Sequence, residues 1–74
     1  MEREPFEEKM LQMLYRKPFS PFEVEKADGE LIIVDQEFAM GGGMIGYITP
    51  DARLVEIKHE DVKAIRPLMR EIAQ

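Results

Sequence analysis

Two Pro-Phe pairs three residues apart, in the stretch Lys17-Pro18-Phe19-Ser20-Pro21-Phe22, mark a change of hydrophobic period. Upstream, Phe6, Met10, Met13 and Leu14 recur at the three- and four-residue spacing of one helical face. Downstream, Phe22 and Val24 alternate with Glu23 and Glu25, the two-residue rhythm of a half-buried strand. A proline pushes the residue before it out of the α region, so no helix runs through this stretch. The chain must therefore fold as a short helix followed by something else. Pro18 to Pro21 also satisfies P-x-x-P, but ligands of that type are displayed on accessible segments, whereas this one joins two amphipathic elements. A polyproline-like path repeats every three residues and places Phe19 and Phe22 on one side of the chain. The stretch reads as a helix stop and a core anchor.

The elements follow from there. Residues 5–16 form an amphipathic helix, with Pro5 at the first position, Glu4, Glu7 and Glu8 near the start, and Arg16 and Lys17 near the end. Residues 17–21 are the connector. Phe22 opens the first strand, and Asp28-Gly29 is a hairpin turn. Residues 30–34 form the second strand, whose four consecutive apolar residues predict cover on both faces. Residues 35–40 show no clear period, and Gly41-Gly42-Gly43 interrupts regular structure. A third strand at 44–49, a turn at Pro50-Asp51-Ala52 and a fourth strand at 53–58 come next. His59-Glu60-Asp61-Val62 reads as a single helical or 3₁₀ turn. A fifth strand over 63–67 closes the domain, and 68–74 is a tail or helical turn. Val62, Ile65, Leu68, Met69 and Ile72 also fit a helical stripe, which Pro67 interrupts at a cost of about 3 kcal/mol.

At 74 residues the chain holds one domain, 1–74, with its β region at 22–67. It has no cysteine and one histidine, so no disulfide or thiolate zinc site is available as a staple. Good packing or self-association must take that place. The expected fold is mostly β within the α+β class: a small five-stranded SH3-like or Sm-like barrel with the helix across one opening. Closure removes the exposed edges of an open sheet.

The run Lys17 to Val24 (KPFSPFEV), Ala27-Asp28-Gly29, Val34, Glu37-Phe38 and Val62 to Leu68 (VKAIRPL) resembles a family of small uncharacterised bacterial proteins. Members share paired Pro-Phe, a D-G hairpin, a V-x-H-P-E-F segment and a terminal strand ending near R-L-x-P-L. The likeness covers residues 17–68 and departs at Asp35-Gln36, where the pattern has His-Pro. It implies an architecture and carries no activity.

Chemistry is sparsely supplied. Besides Tyr15 and Tyr47, the only hydroxyls are Ser20 and Thr49, each beside a proline. With one histidine and no nucleophile motif, a catalytic triad lacks raw material, and we expect neither enzyme activity nor a cofactor. His59-Glu60-Asp61 reads as a capped, solvated turn, because adjacent residues do not converge on one metal. Met40-Gly41-Gly42-Gly43-Met44 lacks the lysine of a phosphate loop and leads into a strand, so it reads as a hairpin connection. Its flanking methionines suggest an adaptable partner surface made of Met40, Gly42, Met44 and Tyr47. The expected function is a small interaction module that binds itself or another protein.

The alternative is single-stranded RNA binding through Lys58, Lys63 and Arg66, by fold-level analogy with Sm-like barrels. Net charge weighs against it. The chain carries −5, and all of that excess lies in residues 1–40, with ten acidic and five basic side chains. An acidic domain repels phosphate backbones. No apolar run spans a bilayer, and the acidic start Met1-Glu2-Arg3-Glu4-Pro5 is unlike a signal peptide, so a soluble cytoplasmic protein is expected.

Overall fold

The helical stripe becomes α1 (Arg3–Leu14) in a computed structural model of the protein, which describes residues 1–68. Phe6, Met10 and Met13 are buried along it, and Leu14 packs half-buried beside them. The helix starts two residues earlier than the proline suggests. Glu2 is the N-cap, and Pro5 falls inside the first turn, where N–H groups have no intrahelical partner in any case. At the other end Tyr15 caps the helix by donating its N–H to the Leu11 carbonyl at 3.0 Å. Arg16 and Lys17 therefore lie beyond the helix, and no basic residue occupies its last turn, contrary to expectation.

The Pro-Phe stretch turns the chain from helix to strand, with a cis peptide at Lys17–Pro18. Phe19 and Phe22 meet edge to face with ring centroids 6.3 Å apart, and Phe22 meets Phe38 in the same way at 5.8 Å. Phe22 is fully buried. Both rings thus pin the corner to the core, as the three-residue repeat predicts.

Six strands follow, in two antiparallel three-stranded sheets. One has the order β2-β1-β6, from β1 (Phe22–Lys26), β2 (Leu31–Val34) and β6 (Val62–Pro67). The other has the order β3-β4-β5, from β3 (Ala39–Gly41), β4 (Met44–Ile48) and β5 (Leu54–Lys58). A 3₁₀ turn (His59–Asp61) links β5 to β6, where a single turn was expected. Inward-facing Val24, Val34, Ile45, Ile57, Val62 and Ile65 join the helix residues and Phe38 in one core. Among the described residues no helix is long and apolar enough to cross a membrane.

Three hairpins set the register. Gly42 and Gly43, at φ 62° and 76°, form a two-residue β3–β4 turn closed by the Gly41–Met44 pair. Two consecutive positive-φ residues match the right-handed twist of the flanking strands. The β1–β2 and β4–β5 loops share another form, in which a tight turn is followed by a residue at positive φ. Gly29 holds that position at φ 94° in one, and Ala52 holds it at φ 69° in the other.

Several expectations need correction. There are six strands rather than five, because Ala39–Gly41 pairs with β4 inside the segment that has no sequence period. The two sheets share no ladder among the described residues, so the strands do not close by hydrogen bonding into a five-stranded barrel. The strand expected at 44–49 is β4, which ends at Ile48 and is the central strand of its sheet. Cover on both faces of β2 is also not found: Val34 is buried, but Leu31 and Ile33 are 55% and 47% exposed. The closing strand expected over 63–67 is found as β6, one residue longer at its start, so the competing helical stripe is not formed there. The tail or helical turn predicted for 68–74 falls, from residue 69 on, outside the described residues.

Candidate functional site

Strand alternation decides which side chains of the β3-β4-β5 sheet meet the core. In β4, Ile45 and Tyr47 are buried, while Met44, Gly46 and Ile48 lie on the other face. Met40 sits opposite Ile45 in register and packs against the core with it. The four residues proposed as a partner surface are thus split. Met40 and Tyr47 belong to the inner face, Met44 to the outer face, and Gly42 to the hairpin tip. Tyr47 is only 8% exposed, so it offers almost no surface to a partner.

The outer face carries a different apolar group. Ile48 of β4 stands directly opposite Leu54 of β5, and they are 62% and 64% exposed. Beside them Ala39 is paired with Gly46, which leaves a low floor. Glu37, Phe38, Ala39, Gly46, Ile48 and Leu54 line an open groove of about 570 Å³. Sequence reading missed Ile48 and Leu54 because each ends or begins a strand next to a turn. The available signal was alternation: once Val55 and Ile57 point inward, Leu54 must point out.

A second cleft of about 430 Å³ runs between β2 and the β4–β5 hairpin. At its base lies the Tyr47 phenol. Burial raises the pKa of this group, the charge of Asp35 raises it further, and Arg53 opposes them. The hairpin itself is held by its own polar groups. The Thr49 hydroxyl donates to the Asp51 carboxylate and accepts the Arg53 N–H at 3.0 Å, and Arg53 Nε reaches Asp51 at 3.2 Å. The hydrogen bond from Thr49, chiefly, holds the Asp51 carboxyl below its ordinary pKa.

The basic residues of the RNA alternative are placed on the sheet edges. Arg66 lies 3.1 Å from Glu25 and 3.7 Å from Glu23, and Lys63 lies 3.7 Å from Glu25. These carboxylates come from β1, the neighbour of β6, and they offset the charge that a phosphate would need. Lys58 is on β5, opposite Met44.

The 3₁₀ turn binds the helix to the sheet. Glu7 Oε2 accepts the Gly43 N–H at 3.0 Å, His59 donates its backbone N–H to the Gly43 carbonyl at 2.9 Å, and the His59 ring lies 6.2 Å from Phe6. A Cβ on Gly43 would come within 2.7 Å of the His59 ring. The glycine run therefore serves a tight turn and a close approach. Among the described residues no group of acidic, histidine or cysteine side chains is placed to hold a metal ion. No family model, no curated protein and no solved structure matches this chain.

Proposed function

We propose that the protein is a non-enzymatic interaction module that associates with a second copy of itself through the outer face of the β3-β4-β5 sheet. The order of helix, strand meander, 3₁₀ turn and closing strand supports a fold-level analogy with the SH3-like and Sm-like small barrels, and the Pro-Phe, D-G and terminal-strand pattern supports the likeness to a family of small uncharacterised bacterial proteins. The observation that carries the functional reading is the cross-strand pair of Ile48 and Leu54, each more than three-fifths exposed beside an open groove. Met44 shares this face and extends the patch along β4.

Magnitudes set the strength of the association. Complete burial of an exposed Leu or Ile is worth about 1.5–3 kcal/mol, so two-thirds-exposed residues contribute about 1–2 kcal/mol each. A twofold interface counts each residue twice, which gives roughly 4–8 kcal/mol from the four side chains. Association itself costs about 4–15 kcal/mol. The dimer is therefore weak and forms reversibly at high concentration. Sedimentation from about 10 μM to 1 mM tests it: the mass should rise from 8.6 kDa toward twice that value. Leu54→Glu and Ile48→Glu should hold the mass at the monomer without lowering the melting temperature. A wild-type protein that stays monomeric across the whole range refutes the reading.

A further inference from the structure

Among the described residues four strands lie at sheet edges, β2, β6, β3 and β5; β3 is only three residues long, and its shortness itself limits further pairing. Natural edges carry charges, prolines or bulges that discourage further pairing. β6 bears Lys63, Arg66 and Pro67, and β5 bears Glu56 and Lys58. β2 consists of Leu31, Ile32, Ile33 and Val34 and has none of these guards.

The register shows what this edge presents. The Lys26 N–H donates to the Glu30 carbonyl at 2.8 Å, so that pair is hydrogen-bonded across the hairpin. Hydrogen-bonded and non-bonded pairs alternate along an antiparallel ladder. Val24–Ile32 and Phe22–Val34 are then the bonded pairs, and Glu25–Leu31 and Glu23–Ile33 the non-bonded ones. Consequently the N–H and C=O groups of Leu31 and Ile33 point away from β1, toward the side where β2 has no neighbour. The side chains of the same two residues are the exposed ones.

This edge forms one wall of the cleft of about 430 Å³, and Pro50, Asp51, Arg53 and Val55 form the other. The lining carries Glu30, Asp35 and Asp51 against Arg53, which lies 3.2 Å from Asp51; Lys26 lies 3.5 Å from Glu30, so Asp35 leaves the cleft one negative charge in excess. A second copy of the chain would bring the same carboxylates to the same edge and be repelled. We propose that the β2 edge binds an extended peptide segment with alternating apolar and basic side chains, which adds as a further strand in this cleft. Main-chain hydrogen bonds to Leu31 and Ile33 supply affinity, and the carboxylates select the basic positions.

The test is a ¹⁵N-detected titration of the full chain with a capped octapeptide of alternating valine and lysine at low salt. The Leu31 and Ile33 amide signals should shift, and their hydrogen exchange should slow at least tenfold at saturation. An alternating valine–glutamate peptide should not bind. Ile33→Pro removes an outward-facing N–H, with no ladder hydrogen bond to β1, and trims the exposed side chain, changes that edge positions tolerate, and it should weaken binding at least tenfold. Should that variant unfold, the same comparison is made with the wild-type chain and a peptide N-methylated at every second residue. Equal affinity of the methylated peptide, shifts confined to the Ile48–Leu54 face, or no binding at millimolar peptide would each overturn the proposal. Protection of the Leu31 and Ile33 amides that grows with protein concentration alone would overturn it too, by naming a second copy as the occupant. None of these outcomes depends on association through the β3-β4-β5 face.

Discussion

Replacing Phe22 by alanine tests the reading of the Pro-Phe stretch as a core anchor. Phe22 is fully buried, and it lies between Phe19 and Phe38, with edge-to-face contacts at 6.3 and 5.8 Å. Truncating a buried phenylalanine costs about 3–5 kcal/mol. Loss of two aromatic pairs, each worth about 0.5–1.5 kcal/mol, puts this site in the upper part of that range. A domain of this length has a total stability of roughly 4–11 kcal/mol. Phe22→Ala should therefore remove roughly two-fifths or more of it and lower the melting temperature by about 15–40 °C. Phe19 is only half-buried, so Phe19→Ala should cost about 1–2 kcal/mol by the area it covers. Urea denaturation followed by far-ultraviolet circular dichroism gives both values, and the double mutant gives a coupling of about 0.5–1.5 kcal/mol for the ring pair. A Phe22→Ala cost below about 1 kcal/mol, or below that of Phe19→Ala, would refute the anchor and return the stretch to the class of displayed ligands.

Two further perturbations address the hairpin and the cleft. Ala52 occupies at φ 69° the loop position that Gly29 occupies at φ 94°, and a left-handed conformation costs an L-residue about 1–2 kcal/mol. Glycine gives back about 0.4–1 kcal/mol through the unfolded chain. Ala52→Gly should thus stabilise the protein by about 0.5–1 kcal/mol, and a lowered melting temperature would contradict this. Tyr47 has a raised pKa through burial, then through Asp35, so its phenol is held protonated in the folded state. The native state binds the extra proton, so stability is full below the ordinary value of 10.0 and falls as pH rises through the folded pKa. Tyr47→Phe should abolish that alkaline loss in pH-dependent melting, and an unchanged profile would count against it.

The helix, the corner, the D-G hairpin and the 3₁₀ turn were legible because each rests on local chemistry. Phe6, Met10 and Met13 declare a face by spacing alone, and Pro18 declares an end. β3 was not legible. Three residues are too few to show a period, and Ala39 and Gly41 on its outer side give no polar contrast to Met40. Its existence depends on pairing with β4 across two positive-φ glycines, which is a relation between segments. The facing of Met40, Met44 and Tyr47 was not legible for a related reason. Methionine content marks adaptability but not direction, and one residue of register moves every side chain to the opposite face. Met40 and Met44 flank the glycines symmetrically in sequence and emerge on opposite faces in space.

Charge gives the two proposed interaction surfaces opposite expected responses to salt. Each copy carries −5, so self-association through the Ile48–Leu54 face brings like charges together. Raising the ionic strength from 0.1 M to 1 M shortens the screening length from about 10 Å to about 3 Å, which relieves that repulsion and leaves the apolar contact intact. Sulfate strengthens the contact further, because it is excluded from apolar surface. The β2 cleft behaves in the other sense, because its attraction for a basic segment comes from the negative charge that Asp35 leaves in excess and is screened by the same salt. Main-chain pairing at Leu31 and Ile33 persists, so binding of the valine–lysine peptide should weaken with salt without vanishing. A surface that strengthens with salt is held by Ile48 and Leu54. One that weakens draws its selectivity from carboxylates beside an unguarded strand.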